Sequence, residues 1–143
     1  MILKFRLEHD SFGDLLVPIE ALYGAQTQRA IENFRISGIP MPAEFIQAMA
    51  LIKAAASEAN GVLGHMPKAK ARAISKAANA VASGGLADQF PVDVFQTGSG
   101  TSTNMNLNEV IAGLVRRQSK LSVHPNNEVN LGQSSNDVVP SSS

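Results

Sequence analysis

The feature that most constrains the fold is the density of alanine between positions 43 and 87, where 15 residues are alanine. Alanine has the strongest helix propensity, but it buries little apolar area per residue. In the first half of this stretch the larger apolar residues recur at alternating steps of four and three: Phe45, Met49, Ile52, Ala56, Ala59 and Leu63. This spacing predicts a helix that starts after Pro42, ends near Gly64 and turns that stripe toward a core.

A second alanine-rich helix is predicted from Lys68 to Ser83. Pro67 suits its first turn, and the pair Gly84-Gly85 ends it. Its apolar line consists of Ile74, Ala77, Ala78 and Val81, and its wetter side carries Lys68, Lys70, Arg72 and Lys76. Because helices with so few large side chains must pack closely, both are expected to lie against neighbours.

The first 34 residues predict a short β arm followed by a helix. Residues 1–8 alternate apolar and charged side chains, which is typical of a strand, and residues 15–19, which include Pro18, form a second short extended piece. A polar-rich helix is expected over residues 23–34, before Gly38 and Pro40. The predicted fold class is therefore mainly α, with a short β arm at the amino terminus.

Composition excludes several functions. The chain has 12 Lys and Arg against 12 Asp and Glu, so it lacks the clustered positive charge of a nucleic-acid binder. It has no cysteine for disulfides or thiolate metal sites, and no apolar run long enough for a membrane span or a secretory signal. His9, His65 and His124 lie far apart, so no metal site is expected. We therefore predict a cytoplasmic protein that contacts neither nucleic acid nor membrane.

The most unusual stretch runs from Thr97 to Glu109. Gly98 and Gly100 let a ligand approach the main chain, and Thr101 can cap a helix whose free N–H groups point back at this turn. With the hydroxyl groups of Ser99 and Thr101, this arrangement predicts a carboxylate or phosphate site. It matches neither the P-loop nor the dinucleotide spacing. The alternative is a glycine turn before an ordinary helix whose asparagines face water.

A second polar stretch runs from His124 to Asp137. It contains amides at 126, 127 and 130, followed by Ser134-Ser135-Asn136-Asp137. Neutral donors suit a substrate carboxylate next to which negative charge develops, because they stabilise that charge without supplying protons. The alternatives are a solvated loop and a Ser-His-Asp triad, and the triad lacks the expected elbow motif around its serine.

Three ordered segments together resemble the class II fumarases of the fumarase/aspartase superfamily. They are residues 23–36, beginning Tyr-Gly-Ala-Gln-Thr-Gln-Arg, residues 97–111, containing Thr-Gly-Ser-Gly-Thr, and residues 124–137, containing His-Pro-Asn and Gln-Ser-Ser-Asn-Asp. Aspartase is less similar, because it tends to differ at Ser99, at His124-Pro125 and at Ser134-Ser135. The resemblance implies the amino-terminal helical domain of the fumarase/aspartase fold, in an enzyme that interconverts fumarate and L-malate without a cofactor.

The resemblance also implies site residues at the matching positions. The substrate-binding set is Ser99, Gly100, Thr101, Ser134, Ser135 and Asn136. The set for a secondary dicarboxylate site is His124, Pro125, Asn126 and Asn127. This chain departs from the family pattern at Asn127, where Asp is usual, at Gly132, where Ser is common, and in a shorter link between residues 111 and 124.

The family's base-bearing loop and assisting histidine lie beyond the equivalent of Ser143, so no catalytic residue is expected in this chain. By the same resemblance, residues 1–139 form the amino-terminal domain and residues 140–143 begin a central helical bundle. Family active sites combine three subunits of a homotetramer, so this chain by itself is expected to be inactive. The alternatives are a fragment of an aspartate ammonia-lyase and a non-catalytic helical fragment that only oligomerises.

Overall fold

The computed structural model describes residues 4–33, 42–91 and 101–131. It begins with an antiparallel hairpin of β1 (Phe5–Asp10) and β2 (Gly13–Pro18), in which Phe5 lies opposite Pro18. Gly13, directly after the turn, has a φ of 122°, a conformation that favours glycine. The predicted β arm is thus confirmed over its described part, and Pro18 lies at the end of a strand, where a missing N–H is tolerated.

Four α-helices follow the hairpin: α1 (Ala25–Asn33), α2 (Ala43–Val62), α3 (Lys68–Ala82) and α4 (Thr101–Gln118). A 3₁₀ turn (Ala87–Gln89) precedes α4, and a π-helical turn (Pro125–Val129) follows it. Pro42 and Pro67 directly precede α2 and α3, as predicted. The predicted mainly α class with a β arm is confirmed. Within the described ranges, no helix is long and apolar enough to cross a membrane.

The alanine-rich helices α2 and α3 pack directly against each other. The predicted apolar line of α3 is confirmed, since Ile74, Ala77, Ala78 and Val81 are all buried. A Cβ built on Gly61 would come within 2.7 Å of the Ala71 Cβ, so the glycine is required for this spacing. The small side chains therefore bury little area each but allow the helix axes to come close.

The predicted stripe of α2 is wrong at its carboxyl end. Met49 is fully buried, but Ala59 and Leu63 are exposed. The face that packs on α3 and α4 is instead Ile46, Met49, Ala50, Lys53, Ala54, Ser57 and Gly61. Because α2 itself carries apolar residues on most of its sides, tertiary packing rather than periodicity selects which side is covered.

Helix α4 lies at the centre of the described structure and contacts α1, α2, α3 and the π-helical turn. Leu107, Val110, Ile111 and Val115 of this helix are completely buried. At Gly113 a Cβ would overlap the backbone carbonyl of Leu22, so this glycine lets the loop before α1 lie directly on α4.

Two arginines attach the hairpin to the rest of the chain. Arg6 donates to the carbonyls of Pro18 and Ala21, each at 2.8 Å. Arg29 of α1 binds both carboxylate oxygens of Asp10, at 2.9 and 2.8 Å. The hydrogen bonds from Arg29 hold the pKa of the Asp10 carboxyl below its usual value, and those from Asp10 raise the pKa of Arg29.

Candidate functional site

Most of the predicted substrate-binding residues lie outside the described ranges: Ser99, Gly100, Ser134, Ser135 and Asn136. The proposed division at residues 139 and 140 lies outside them as well. Helix α4 begins at Thr101, as predicted, so its unpaired N–H groups directly follow Gly98-Ser99-Gly100 in the sequence. A helix start at this position is the arrangement that an anion site requires.

Four polar residues in the first half of α4 do not face water. Thr103, Asn104, Asn106 and Asn108 are all buried, with Asn104 2% exposed and Asn108 1% exposed. Among the described residues, neither amide atom of Asn108 has a hydrogen-bond partner, and neither do the side-chain oxygens of Asn104 and Asn106. Burying an amide without a partner costs free energy, so an ordinary solvated helix does not explain this pattern. The alternative of water-facing asparagines is therefore wrong.

A buried polar cluster joins α2, α4 and the end of the π-helical turn. The Lys53 ammonium donates to Asn130 Oδ1 at 3.2 Å, and Asn104 Nδ2 approaches the same oxygen at 3.4 Å. Lys53 is completely buried, and burial lowers the pKa of its ammonium to about 8. A positive charge is therefore enclosed beside the buried asparagines of α4.

The buried carboxylate of Glu109 caps the start of α1. It accepts the backbone N–H groups of Gly24 and Gln26 at 3.0 Å and that of Thr27 at 2.9 Å. Negative charge at a helix amino terminus is stabilised by these unpaired N–H groups and by the helix dipole. A Cβ on Gly24 would come within 3.0 Å of Glu109 Oε2, so glycine keeps this approach open.

His124 begins the π-helical turn and holds it closed. Its Nδ1 accepts the backbone N–H groups of Asn126 and Asn127, each at 3.1 Å, so the ring proton is on Nε2 when the imidazole is neutral. In return Glu128 accepts the His124 N–H at 2.9 Å. Lys70 of α3 binds the other oxygen of Glu128 at 2.7 Å and holds the pKa of that carboxyl low.

This turn forms one wall of a cavity of about 560 Å³, whose other walls are the hairpin, the start of α1 and α4. Of the residues predicted for a secondary dicarboxylate site, His124, Pro125 and Asn126 line it, and Asn127 does not. Four carboxylates also line the cavity, against Arg116 and two imidazoles: Glu8, Asp10, Glu109 and Glu128. A dicarboxylate would enter against this negative charge, and the secondary site remains a prediction.

The other two histidines lie outside the π-helical turn, although His9 also lines the cavity. His9 is exposed and contacts Asp14 at 2.8 Å, and His65 is exposed at the end of α2. Within the described ranges, no group of His, Cys, Asp or Glu is arranged to hold a metal ion.

Sequence reasoning missed two residues that the structure makes prominent. Lys53 follows Met49 by four positions and therefore lies on the same helix face, which was a usable signal. Glu109 is an acid directly before the apolar run that begins at Val110, and its position indicated burial. Neither signal predicted the hydrogen-bond partner, because both partners lie more than 70 positions away in the sequence.

Comparison with known proteins identifies the class. A family model described as Lyase matches residues 13–143. The chain therefore belongs to this lyase family.

The chain is also similar to individual proteins of known name. The chain is 63% identical over 137 residues to "Fumarate hydratase class II" of Xylella fastidiosa (strain Temecula1 / ATCC 700964), a match that covers 96% of this chain and 29% of the relative. It is 55% identical over 141 residues to the protein of that name in Halobacterium salinarum, covering 95% and 30%. The class II fumarase structure from Schistosoma mansoni superposes with a TM-score of 0.92 at 41% identity, covering 97% and 31%.

The resemblance to class II fumarases and the fold of their amino-terminal helical domain are thus confirmed. The chain spans less than one third of the length of these relatives.

Proposed function

We propose that this chain is the amino-terminal part of a fumarate hydratase, which adds water to fumarate reversibly to give L-malate. The single observation that carries the proposal is the similarity to class II fumarate hydratases across nearly the whole chain, including both polar stretches. The burial of the asparagine-rich half of α4 supports it, because these amides are withdrawn from bulk water beside the start of the helix.

In this proposal the chain binds the substrate carboxylate. The hydroxyl groups of Ser99 and Thr101, the main chain at Gly100 and the free N–H groups of α4 supply donors from one side. Donors from the second polar stretch complete the site: Ser134, Ser135 and Asn136. When a proton leaves the carbon next to the carboxylate, negative charge spreads onto the carboxylate oxygens, and fixed neutral donors stabilise it.

The proton-abstracting base belongs to a part of the family enzyme that this chain does not match. We therefore propose that residues 1–139 are one domain, that residues 140–143 begin the central bundle, and that activity requires a cytoplasmic homotetramer. Fumarate and L-malate are the proposed ligands, with His124, Pro125, Asn126 and Asn127 as a second dicarboxylate site. No cofactor is part of this proposal, and the 143-residue chain by itself has no hydratase activity.

A chimera tests the proposal. The matching 137 residues of the Xylella fastidiosa protein are replaced by those of this chain, and fumarate formation from L-malate is followed by absorbance. We expect kcat/KM within about tenfold of the unmodified relative. Ser99→Ala, Thr101→Ala and Asn136→Ala should each lower kcat/KM by about 100-fold, the usual effect of losing one preorganised donor.

Ser83→Ala is the matched control, because Ser83 is exposed at the end of α3 and bonds only locally to the Ala80 carbonyl at 2.7 Å. Its kcat/KM should stay unchanged. An inactive chimera that still forms a tetramer would contradict the proposal. Ammonia release from L-aspartate in place of malate turnover would favour the ammonia-lyase alternative, and the isolated chain tested with L-malate should give no turnover.

A further inference from the structure

The charged side chain of Lys53 lies in the packed interface of α2 with α3 and α4. It is 0% exposed, and its neighbours on the same helix face are mostly apolar, including Met49, Ala50 and Ala54. Enclosing an ammonium group costs several kcal/mol unless good partners compensate. An apolar side chain of similar length would fill the same volume without that cost. Packing alone therefore does not account for a lysine at this position.

The contacts of Lys53 show what the charge does. Asn130 Oδ1 receives the Lys53 ammonium at 3.2 Å and lies 3.4 Å from Asn104 Nδ2. Because both neighbours are donors, the oxygen of the Asn130 amide must face them and its Nδ2 must point away. Lys53 thus determines the orientation of the Asn130 amide. Through the shared Asn130 oxygen it is also linked to the Asn104 amide.

Each of the two amides belongs to one of the polar stretches: Asn104 to the first and Asn130 to the second. Asn104 is three positions after the start of α4 at Thr101, within its first helical turn. Asn130 directly follows the π-helical turn, four positions before Ser134 in the sequence. A single buried ammonium therefore connects the amino-terminal turn of α4 with the chain segment that leads toward the second predicted set of donors.

We propose that Lys53 is a positioning residue for the carboxylate site, because it fixes the Asn130 and Asn104 amides and thereby joins the first turn of α4 to the end of the π-helical turn. This inference rests on the proposed function. Lys53 acts through the two asparagines and is not proposed to touch the substrate. The ammonium is suited to this role because it donates up to three hydrogen bonds from one buried point.

The first test uses the 143-residue chain without ligand. Side-chain NH₂ resonances of Asn104 and Asn130 are compared by ¹H–¹⁵N NMR in the unmodified chain and in Lys53→Met and Lys53→Arg. We expect large shifts of both resonances in Lys53→Met and a partial return in Lys53→Arg. Lys76→Met is the control, because Lys76 is exposed on α3. Unchanged Asn130 resonances in Lys53→Met would overturn the inference.

The second test uses the active chimera. Lys53→Met and Asn130→Ala should each lower kcat/KM for L-malate at least tenfold, and the double variant should be no worse than either, because both remove the same contact. Lys53→Arg should recover part of the loss, and Lys76→Met should lose nothing. Shifted resonances together with full activity of Lys53→Met would overturn the role in the site.

The two proposals fail separately. A chimera that is inactive with Lys53 in place contradicts the proposed function and removes the carboxylate-site role with it. The NMR comparison then still decides whether Lys53 orients the two amides. If Lys53→Met does not fold, Lys53→Arg serves in its place, because it keeps the buried charge and changes the geometry of the donor that Asn130 Oδ1 accepts, and unchanged Asn130 resonances would again overturn the inference.

Discussion

The carboxylate of Glu109 in α4 accepts the backbone N–H of Thr27 in α1 at 2.9 Å, across 82 positions of sequence. The same carboxylate accepts the N–H groups of Gly24 and Gln26. The unpaired amino-terminal groups of one helix are thus satisfied by a side chain of another, buried helix. This contact fixes the start of α1 to α4, the helix that carries the predicted carboxylate site at its start.

Replacing Glu109 by Gln should destabilise the chain. The amide has one acceptor oxygen in place of two and carries no charge, so at least one N–H of the α1 terminus loses its partner. We expect the free energy of unfolding to fall by about 2 kcal/mol, in the range for hydrogen bonds to charged groups. Urea denaturation gives the value, and amide hydrogen exchange should become faster in α1.

Glu44→Gln is the control for this change. Glu44 is exposed in the first turn of α2, where it interacts with the helix dipole without a buried cap. Its loss should cost only about 0.5 kcal/mol. Equal effects of the two substitutions would contradict the capping role of Glu109.

Replacing Gly61 by Ala tests the close approach of α2 and α3. In an exposed helix this change is stabilising by about 1 kcal/mol, but here the new Cβ would lie 2.7 Å from Ala71 Cβ. We expect a net loss of about 1 to 3 kcal/mol in thermal or urea unfolding, the usual cost of overpacking.

Adding Ala71→Gly should return part of this loss, because it removes the atom that the new methyl group meets. Ala55→Gly, at an exposed position of α2, measures the propensity cost of glycine alone. If the effects of the two interface substitutions simply add, the contact between Gly61 and Ala71 does not limit the packing.

The buried ammonium of Lys53 predicts a pH effect on stability. Its pKa is about 8 in the folded chain against 10.5 ordinarily, so between these values the unfolded chain binds more protons. The free energy of unfolding therefore rises with pH across this window, by about 3 kcal/mol in total. Relative to Lys53→Met, the unmodified chain should gain stability from pH 8 to 10.5. A constant difference between the two would contradict the lowered pKa.

The ion pair of Asp10 and Arg29 predicts a loss of stability at acid pH. The pKa of the Asp10 carboxyl is below its ordinary 3.8, so its contribution is fully present above that pH and is lost as pH falls through the folded value. Asp10→Asn should therefore lower the unfolding midpoint at pH 7 and converge with the unmodified chain at strongly acid pH. Asp88→Asn, at an exposed position in the 3₁₀ turn, is the control and should leave the unfolding midpoint at pH 7 unchanged.

Local signals predicted most of the described elements. The alternation in residues 1–8, the prolines before α2 and α3, and the apolar line of α3 are all local signals. The structure confirms the strand from Phe5 onward, the two proline positions and the buried line of α3. The stripe of α2 was predicted incorrectly toward Leu63, because alanine and larger apolar residues surround that helix and periodicity does not single out one face. The glycine spacing and the helix start predicted Ser99 and Thr101 as donors, and motif resemblance assigned the full set of site residues, most of which lie outside the described ranges.

The sequence by itself determined the helical class, the start of α4 at Thr101 and the family resemblance, since each follows from propensities, breakers and motifs within short windows. Only the tertiary structure decided that the asparagines of α4 are buried, that Glu109 caps α1 and that Lys53 holds Asn130. These contacts join residues up to 82 positions apart. A buried polar group acquires its partner only when the helices pack, and no local pattern encodes that choice.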